Sequence, residues 1–335
     1  MAQKQLDILG VGDVVTDAFI KLFDDDERIE KRDDGTWLAI PFGTKIPFDF
    51  VEVIPGVGNA SNAAVAFARL GLNSGLVANV GEDDWGREII TTLHKSGVDT
   101  RFVHINPDHK SNYHYVLWYK DERTILIKHE EYDYHWPRFR IIDIPKWVYF
   151  SSISEHAIEY HDELAEWLAA HPTVKLAFQP GTFQIEAGSK RLKKIYERSD
   201  VLAVNREEAT TISGGDHHDI NDLFDKLHKL GPKVVVISDG HAGAYASDGG
   251  QRFKMPIYPD PKPPYERTGA GDAFTSTFVA ALAKGADVQS ALLWAPINSM
   301  SVVQKVGAQA GLLTEKEVDK YLREAPNWYH PERLR

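Results

Sequence analysis

Cysteine is absent from this sequence, which excludes disulfides, thiolate catalysis and cysteine-based zinc sites. Long apolar runs are absent too, and none approaches the roughly 20 residues that a membrane span requires. The start, MAQKQLDILGVGD, has one short apolar stretch broken by Gly10 and Gly12. It lacks the apolar core of a secretory signal. Positive charge is in deficit, with 38 Lys+Arg against 49 Asp+Glu and a formal net charge of −11. Phosphate backbones and anionic membranes select basic surfaces, so neither nucleic acid nor a membrane is expected as a partner. The reading is a cytoplasmic enzyme whose 335 residues suffice for one large α/β domain and a smaller accessory element.

What is present is alternation. Leu6 to Val11, Ser74 to Val80, Trp147 to Ser151, Val174 to Phe178, Val201 to Val204 and Val234 to Ser238 read as strands. Helical spacing between most of them, as in Ala60 to Leu70, Trp85 to His94, Ile158 to Ala170 and Asp219 to Leu230, argues for βαβ units and a parallel sheet. Two stretches break the pattern. From about 18 to 55 the charge run DDDERIEKRDDG precedes short apolar runs punctuated by Pro and Gly. From 99 to 130, SNYHYVLWYKDERTILIKHE holds two β-rich runs flanking Lys120-Asp121-Glu122, a hairpin signal. The expected fold class is α/β, a doubly wound, mostly parallel sheet flanked by helices. Residues 1–17, 56–98 and 131–335 form its core, and 18–55 and 99–130 an inserted β-lid over the carboxyl edge of the sheet, where such folds bind ligands.

The most informative stretch is Glu266-Arg267-Thr268-Gly269-Ala270-Gly271-Asp272-Ala273-Phe274. Small residues at 269 to 271 permit a tight turn, after which Asp272 opens an apolar helix, AFTSTFVAALA. A helix start offers unpaired N–H donors and the positive end of a dipole, a site suited to an anion. An Asp in the same turn is placed to take a proton from a hydroxyl while the amides hold a transferring phosphoryl group. The segment alone reads equally as a glycine-rich turn with Asp stabilising a helix start.

TGAGDAF resembles the second signature of the PfkB-type, ribokinase-like carbohydrate kinases, usually written DTTGAGDAF. The resemblance implies an ATP-dependent phosphotransferase with Asp272 as the base and Gly269, Ala270 and Gly271 as the anion hole. Glu266 and Arg267 stand where that family usually shows Asp and Thr, so the resemblance leaves open whether a monovalent cation is held beside this loop. Pro55 to Gly71, PGVGNASNAAVAFARLG, is similar to the first signature, and Gly81 to Gly86 to a GxDxxG turn at the family's usual distance. Gly58 and Asn62 are then implied acceptor contacts. Asp17 holds the position of an Asp that binds two acceptor hydroxyls, and Asp13 is a second contact; a carboxylate suits a vicinal diol because it accepts two hydrogen bonds.

Asn205-Arg206-Glu207-Glu208 resembles the NxxE motif, in which the Glu orients Mg²⁺, largely through water. Ser238, Gly240 and Gly243 match a nucleotide-edge turn. With Asn205, Thr268 and Asn298 they make up the implied ATP contacts. Gln179 occupies the place where many relatives carry an Asp. The acceptor is expected to be a small sugar or sugar acid, phosphorylated on a hydroxymethyl group. A nucleoside is the alternative, because the aromatic lid segment suits a base, and a non-catalytic ligand sensor on the same fold is a third reading. A lid that pairs with its twin leaves a homodimer open.

Overall fold

The computed structural model describes residues 5–24, 28–120 and 122–334. Asp121 of the hairpin signal, residues 25–27 of the charge run and the first four residues lie outside that set. The chain begins with the buried strand β1 (Ile8–Val11) and passes through Gly12 to β2 (Val15–Lys21). An exposed hairpin, β3 (Ile29–Arg32) and β4 (Gly35–Leu38), precedes β5 (Phe50–Val57), which runs through Gly58 into α1 (Asn59–Arg69). Next come β6 (Ser74–Gly81), α2 (Asp84–Lys95), β7 (Asp99–Asn106), β8 (Tyr113–Tyr119) and β9 (Glu122–Leu126). Regular alternation follows with β10 (Trp147–Phe150), α3 (Tyr160–Ala170), β11 (Lys175–Phe178), α4 (Thr182–Arg191) and α5 (Lys193–Arg198). It continues with β12 (Val201–Asn205), α6 (Arg206–Ser213), α7 (Ile220–Lys229) and β13 (Val234–Ser238). The last part holds β14 (Ala244–Ser247), β15 (Arg252–Met255), α8 (Ala270–Ala283), α9 (Val288–Val302), α10 (Glu315–Arg323) and β16 (Glu332–Arg333).

Ten strands form one sheet in the order β16-β15-β14-β13-β12-β11-β10-β1-β6-β7. From β7 to β13 all pairings are parallel; β14, β15 and β16 add antiparallel. Strands buried on both faces read as continuous apolar runs, and alternate residues supply opposite cores. Val148 and Phe150 enter one core with Leu164 of α3 and Phe224 of α7, while Trp147 and Tyr149 enter the other with Phe67 of α1 and Phe278 of α8. Both faces are thereby covered by helices, as a doubly wound fold requires.

A second sheet runs β5-β2-β8-β9, and β3–β4 stand apart as a two-stranded ribbon. The division of the chain differs from the sequence expectation at two places. β7 belongs to the large sheet, pairing parallel with β6, because α2 between them completes a βαβ crossover. The small sheet also begins earlier than residue 18, since β2 starts at Val15. Among the described residues no helix is long and apolar enough to cross a membrane.

Candidate active site

The cleft lies where β1, β10, β11, β12 and β13 end, the carboxyl edge of the parallel strands. Its base is the start of α8. Gly269 caps that helix at φ 79°, and a Cβ there would sit 2.2 Å from the Cβ of Ala308. Only glycine fits so close a left-handed turn. At Gly271 a Cβ would meet nothing within 4 Å, so the helix start is open at that position. Upstream, the backbone N–H and hydroxyl of Thr268 both donate to Oε1 of Glu266, at 2.7 and 2.6 Å, which pins the turn.

Asp272 follows in the first turn and is 9% exposed. Three side-chain amides donate to it: Asn59 to Oδ1 at 2.9 Å, Asn62 to Oδ2 at 2.9 Å and Gln179 to Oδ1 at 3.2 Å. Asn59 and Asn62 are three apart in the first turn of α1 and so share a face. The amide orientations are set by their far ends. Asn62 Oδ1 accepts from Gln309 at 3.0 Å, and Gln179 Oε1 accepts from the buried hydroxyl of Tyr149. Burial pushes the Asp272 carboxyl up, and the donations from Asn62, Gln179 and Asn59 oppose it without cancelling it.

One end of the cleft, about 600 Å³ in all, is walled by Asp13, Asp17, Gly58, His114, Arg123 and His129. Asp13 accepts from Ser154 N at 2.7 Å, His129 Nδ1 at 3.0 Å and the Tyr134 hydroxyl at 2.7 Å. Most of its accepting capacity is therefore spent on holding neighbours. Asp17 is the opposite case. It is buried, its Oδ1 has no hydrogen bond among the described residues, and the His114 Nδ1 stands 3.5 Å away. Gly58, at φ 118°, is a close-approach glycine, because a Cβ would lie 2.7 Å from the Asp13 carbonyl oxygen.

Beyond the helix start a smaller cavity of about 190 Å³ is lined by Ser238, Gly240, Gly243, Phe274, Met300 and Val303 among others. It is an apolar slot with polar edges. Ser238, Arg267, Ala270 and Gly271 belong to both walls, so the two spaces meet over the start of α8. Asn205 and Glu208 line the larger cleft and cap α6 reciprocally, Asn205 Oδ1 accepting from Glu208 N and Glu208 Oε2 from Asn205 N, both at 2.8 Å. Burial raises the Glu208 carboxyl; the Asn205 N–H opposes this, and the charges of Asp272 and Glu207 add to it.

Asn298 corrects the sequence expectation. It is fully buried, donates to Thr277 Oγ1 at 2.8 Å and accepts from Leu313 N at 2.9 Å. Both polar ends are spent tying α9 to α8 and to the chain beyond, so it lines neither cavity. Sequence reasoning marks neither Asn59 nor Gln179 as a partner of Asp272, and it gives no signal for His129, whose partner Asp13 lies 116 residues away.

No group of three or more His, Asp or Glu able to hold a metal occurs among the described residues. Mg²⁺ keeps several waters and needs few protein carboxylates, and two carboxyls facing one cleft, the half-buried Glu208 and the buried Asp272, fit such a lightly held ion. Glu266 is 1% exposed and its Oε2 has no hydrogen bond among the described residues. An orphan carboxylate oxygen of this kind also fits a cation beside the loop.

A mostly parallel sheet covered by helices on both faces, with a cleft at its carboxyl edge and a separate small sheet, defines the ribokinase-like fold, and solved structures bear this out. The nucleoside kinase of Methanocaldococcus jannaschii matches with a TM-score of 0.77 at 20% identity, covering 96% of this chain and 100% of that one. The ribokinase of Arabidopsis thaliana, solved with ribose and ATP, matches with a TM-score of 0.73 at 21% identity, covering 95% and 99%. The family model "pfkB family carbohydrate kinase" matches residues 50–315, and the chain belongs to that family. It is 28% identical to the ribokinase of Bacillus subtilis over 81% of this chain and 88% of that protein. It is 25% identical to the 5-dehydro-2-deoxygluconokinase of the same organism, over 79% and 86%. A probable fructokinase of Arabidopsis thaliana is 27% identical over 76% and 81%. The protein is an ATP-dependent carbohydrate kinase.

Proposed function

We propose that the protein transfers the γ-phosphoryl group of ATP to a hydroxymethyl group of its acceptor, with Asp272 as general base and the amides of residues 269–271 as the anion hole. The carrying observation is the juxtaposition at α8: a buried carboxylate fixed by three amides, one residue after a glycine whose missing side chain leaves the helix start open. A base raised by burial lies nearer the working pH, which favours proton abstraction.

In this reading adenine occupies the apolar slot by Ser238, Gly240 and Gly243, and the phosphates cross the shared wall past Thr268 and Asn205. The acceptor lies between Asp17 and Asp272, with Asp13 and Gly58 shaping the far wall and the small sheet acting as a lid. Glu208 would hold Mg²⁺ through water, which when bound supplies charge neutralisation on the phosphates. Asn62 serves the base rather than the acceptor, as its amide is already engaged. Closure of the lid excludes water that would otherwise waste ATP.

The test is ADP release from MgATP across sugars, sugar acids and nucleosides, with Asp272→Asn beside the parent. A base contributes about 10²–10⁴-fold, so acceptor-dependent turnover should fall by at least about 100-fold in the variant. Full turnover in Asp272→Asn would remove the base, and turnover with nucleosides alone would replace the acceptor class.

A further inference from the structure

Phosphoryl transfer has little covalent work for the protein to do, and its rate comes from positioning and from positive charge on the transferring group. The cleft is poor in such charge. Asp13, Asp17, Glu208 and Asp272 line the larger space and Asp260 the smaller, and among the described residues no lysine lines either. Two arginines do, Arg123 on the larger wall and Arg267 on both. The triphosphate must cross where the two spaces meet, and Arg267 is the cationic side chain on that shared wall.

Its backbone is held rather than loose. The Arg267 carbonyl accepts from Ala270 N at 3.4 Å, and residues 266 and 268 on either side are clamped to one another through Glu266 Oε1. The side chain reaches across the mouth. Its Nη1 lies 3.4 Å from His241 Nε2 and its Nε 3.9 Å from Glu122 Oε1 at the start of β9. Glu122 is two-thirds exposed, so this pair is a weak, screened one. A phosphate entering the shared wall would displace it, because guanidinium binds phosphate oxygens in a bidentate fork.

We propose that Arg267 is a further catalytic residue, contacting the γ-phosphoryl group of ATP and stabilising the charge that group develops during transfer. The inference rests on the proposed ATP path. The alternative role for the same side chain is a latch, in which its pairing with Glu122 only holds the small sheet over the cleft.

Four variants of the full chain separate these: Arg267→Met, Arg267→Lys, Glu122→Gln and Asp272→Asn. D-ribose, D-fructose and D-gluconate serve as acceptor probes for steady-state turnover. Binding of MgADP with and without tetrafluoroaluminate, a mimic of the transferring phosphoryl group, provides a readout that needs no turnover. In Arg267→Met, kcat should fall about 100-fold, and the tighter binding of the fluoroaluminate complex over MgADP should shrink by a similar factor. MgADP affinity itself should move less than about tenfold, Lys should restore part of the loss, and Glu122→Gln should behave as the parent. An Arg267→Met enzyme with parental kcat or an undiminished fluoroaluminate preference would overturn the proposal, and so would a Glu122→Gln enzyme that reproduces the loss. Should Asp272→Asn retain turnover, the base assignment fails while the Arg267 result still stands on its own.

Discussion

The charge state of the base is set by a contest that one substitution should tilt. Burial drives the Asp272 carboxyl up, and of the three opposing amides that of Asn62, 2.9 Å from Oδ2, counts most. A hydrogen bond to a charged group contributes about 1.5–3 kcal/mol, and one pKa unit corresponds to about 1.4 kcal/mol. Asn62→Ala should therefore raise the Asp272 pKa and lower kcat/KM on the acidic side by about tenfold or more. Only the ionised base accepts a proton, so activity falls as pH drops through this pKa. Raising the pKa moves the acidic limb of kcat/KM to higher pH by the same amount. Activity at high pH should recover toward the parent, which distinguishes a titration effect from a damaged site. The assay is a pH profile of kcat/KM for parent and variant, with thermal melting to confirm folding. An acidic limb that stays in place or moves down would refute the reasoning.

Two glycines that follow Thr268, two residues apart, should respond in opposite ways. Gly269→Ala forces a Cβ to 2.2 Å from that of Ala308 at a positive φ and should cost about 1–3 kcal/mol of stability, read by denaturant unfolding. Gly271→Val meets no neighbour and should leave stability within about 1 kcal/mol while lowering turnover at least about tenfold by filling the anion cradle. Asn298→Ala strands the Thr277 hydroxyl and the Leu313 N–H, and should destabilise by about 2–4 kcal/mol with no change in KM for MgATP. Glu208→Gln keeps an acceptor for the α6 cap but removes the charge, so the Mg²⁺ concentration giving half-maximal ADP release should rise about tenfold or more; an unchanged midpoint would detach Glu208 from the metal.

The buried strands were legible because a two-sided core demands unbroken apolar runs, and Val234 to Ser238 was read with the boundaries of β13. The turn at 269–272 stood out through its resemblance to a family signature, because glycines before an Asp at a helix start read equally as an ordinary turn. The network around it was not legible. Asn59, Asn62 and Gln179 approach Asp272 from 213, 210 and 93 residues away, and nothing local in a sequence marks which amides will converge. Asn298 misled for the same reason, since an Asn amid an apolar helix signals a buried polar need without saying whose. The misplaced β7 shows the limit from another side. DTRFVHIN alternates as a lid strand would, and only the crossover through α2 assigns it to the edge of the large sheet.

The strand β5 passes through Gly58 directly into Asn59 and Asn62. The roof strand and the side chains that govern the base are thus one continuous stretch of polypeptide, and Gln309 ties it down by donating to the Gly56 carbonyl as well as to Asn62. Any swing of the small sheet about Gly58 drags on those amides. A substitution that displaces β5 at this joint should therefore disturb the hydrogen bonds to Asp272 as well as the small sheet.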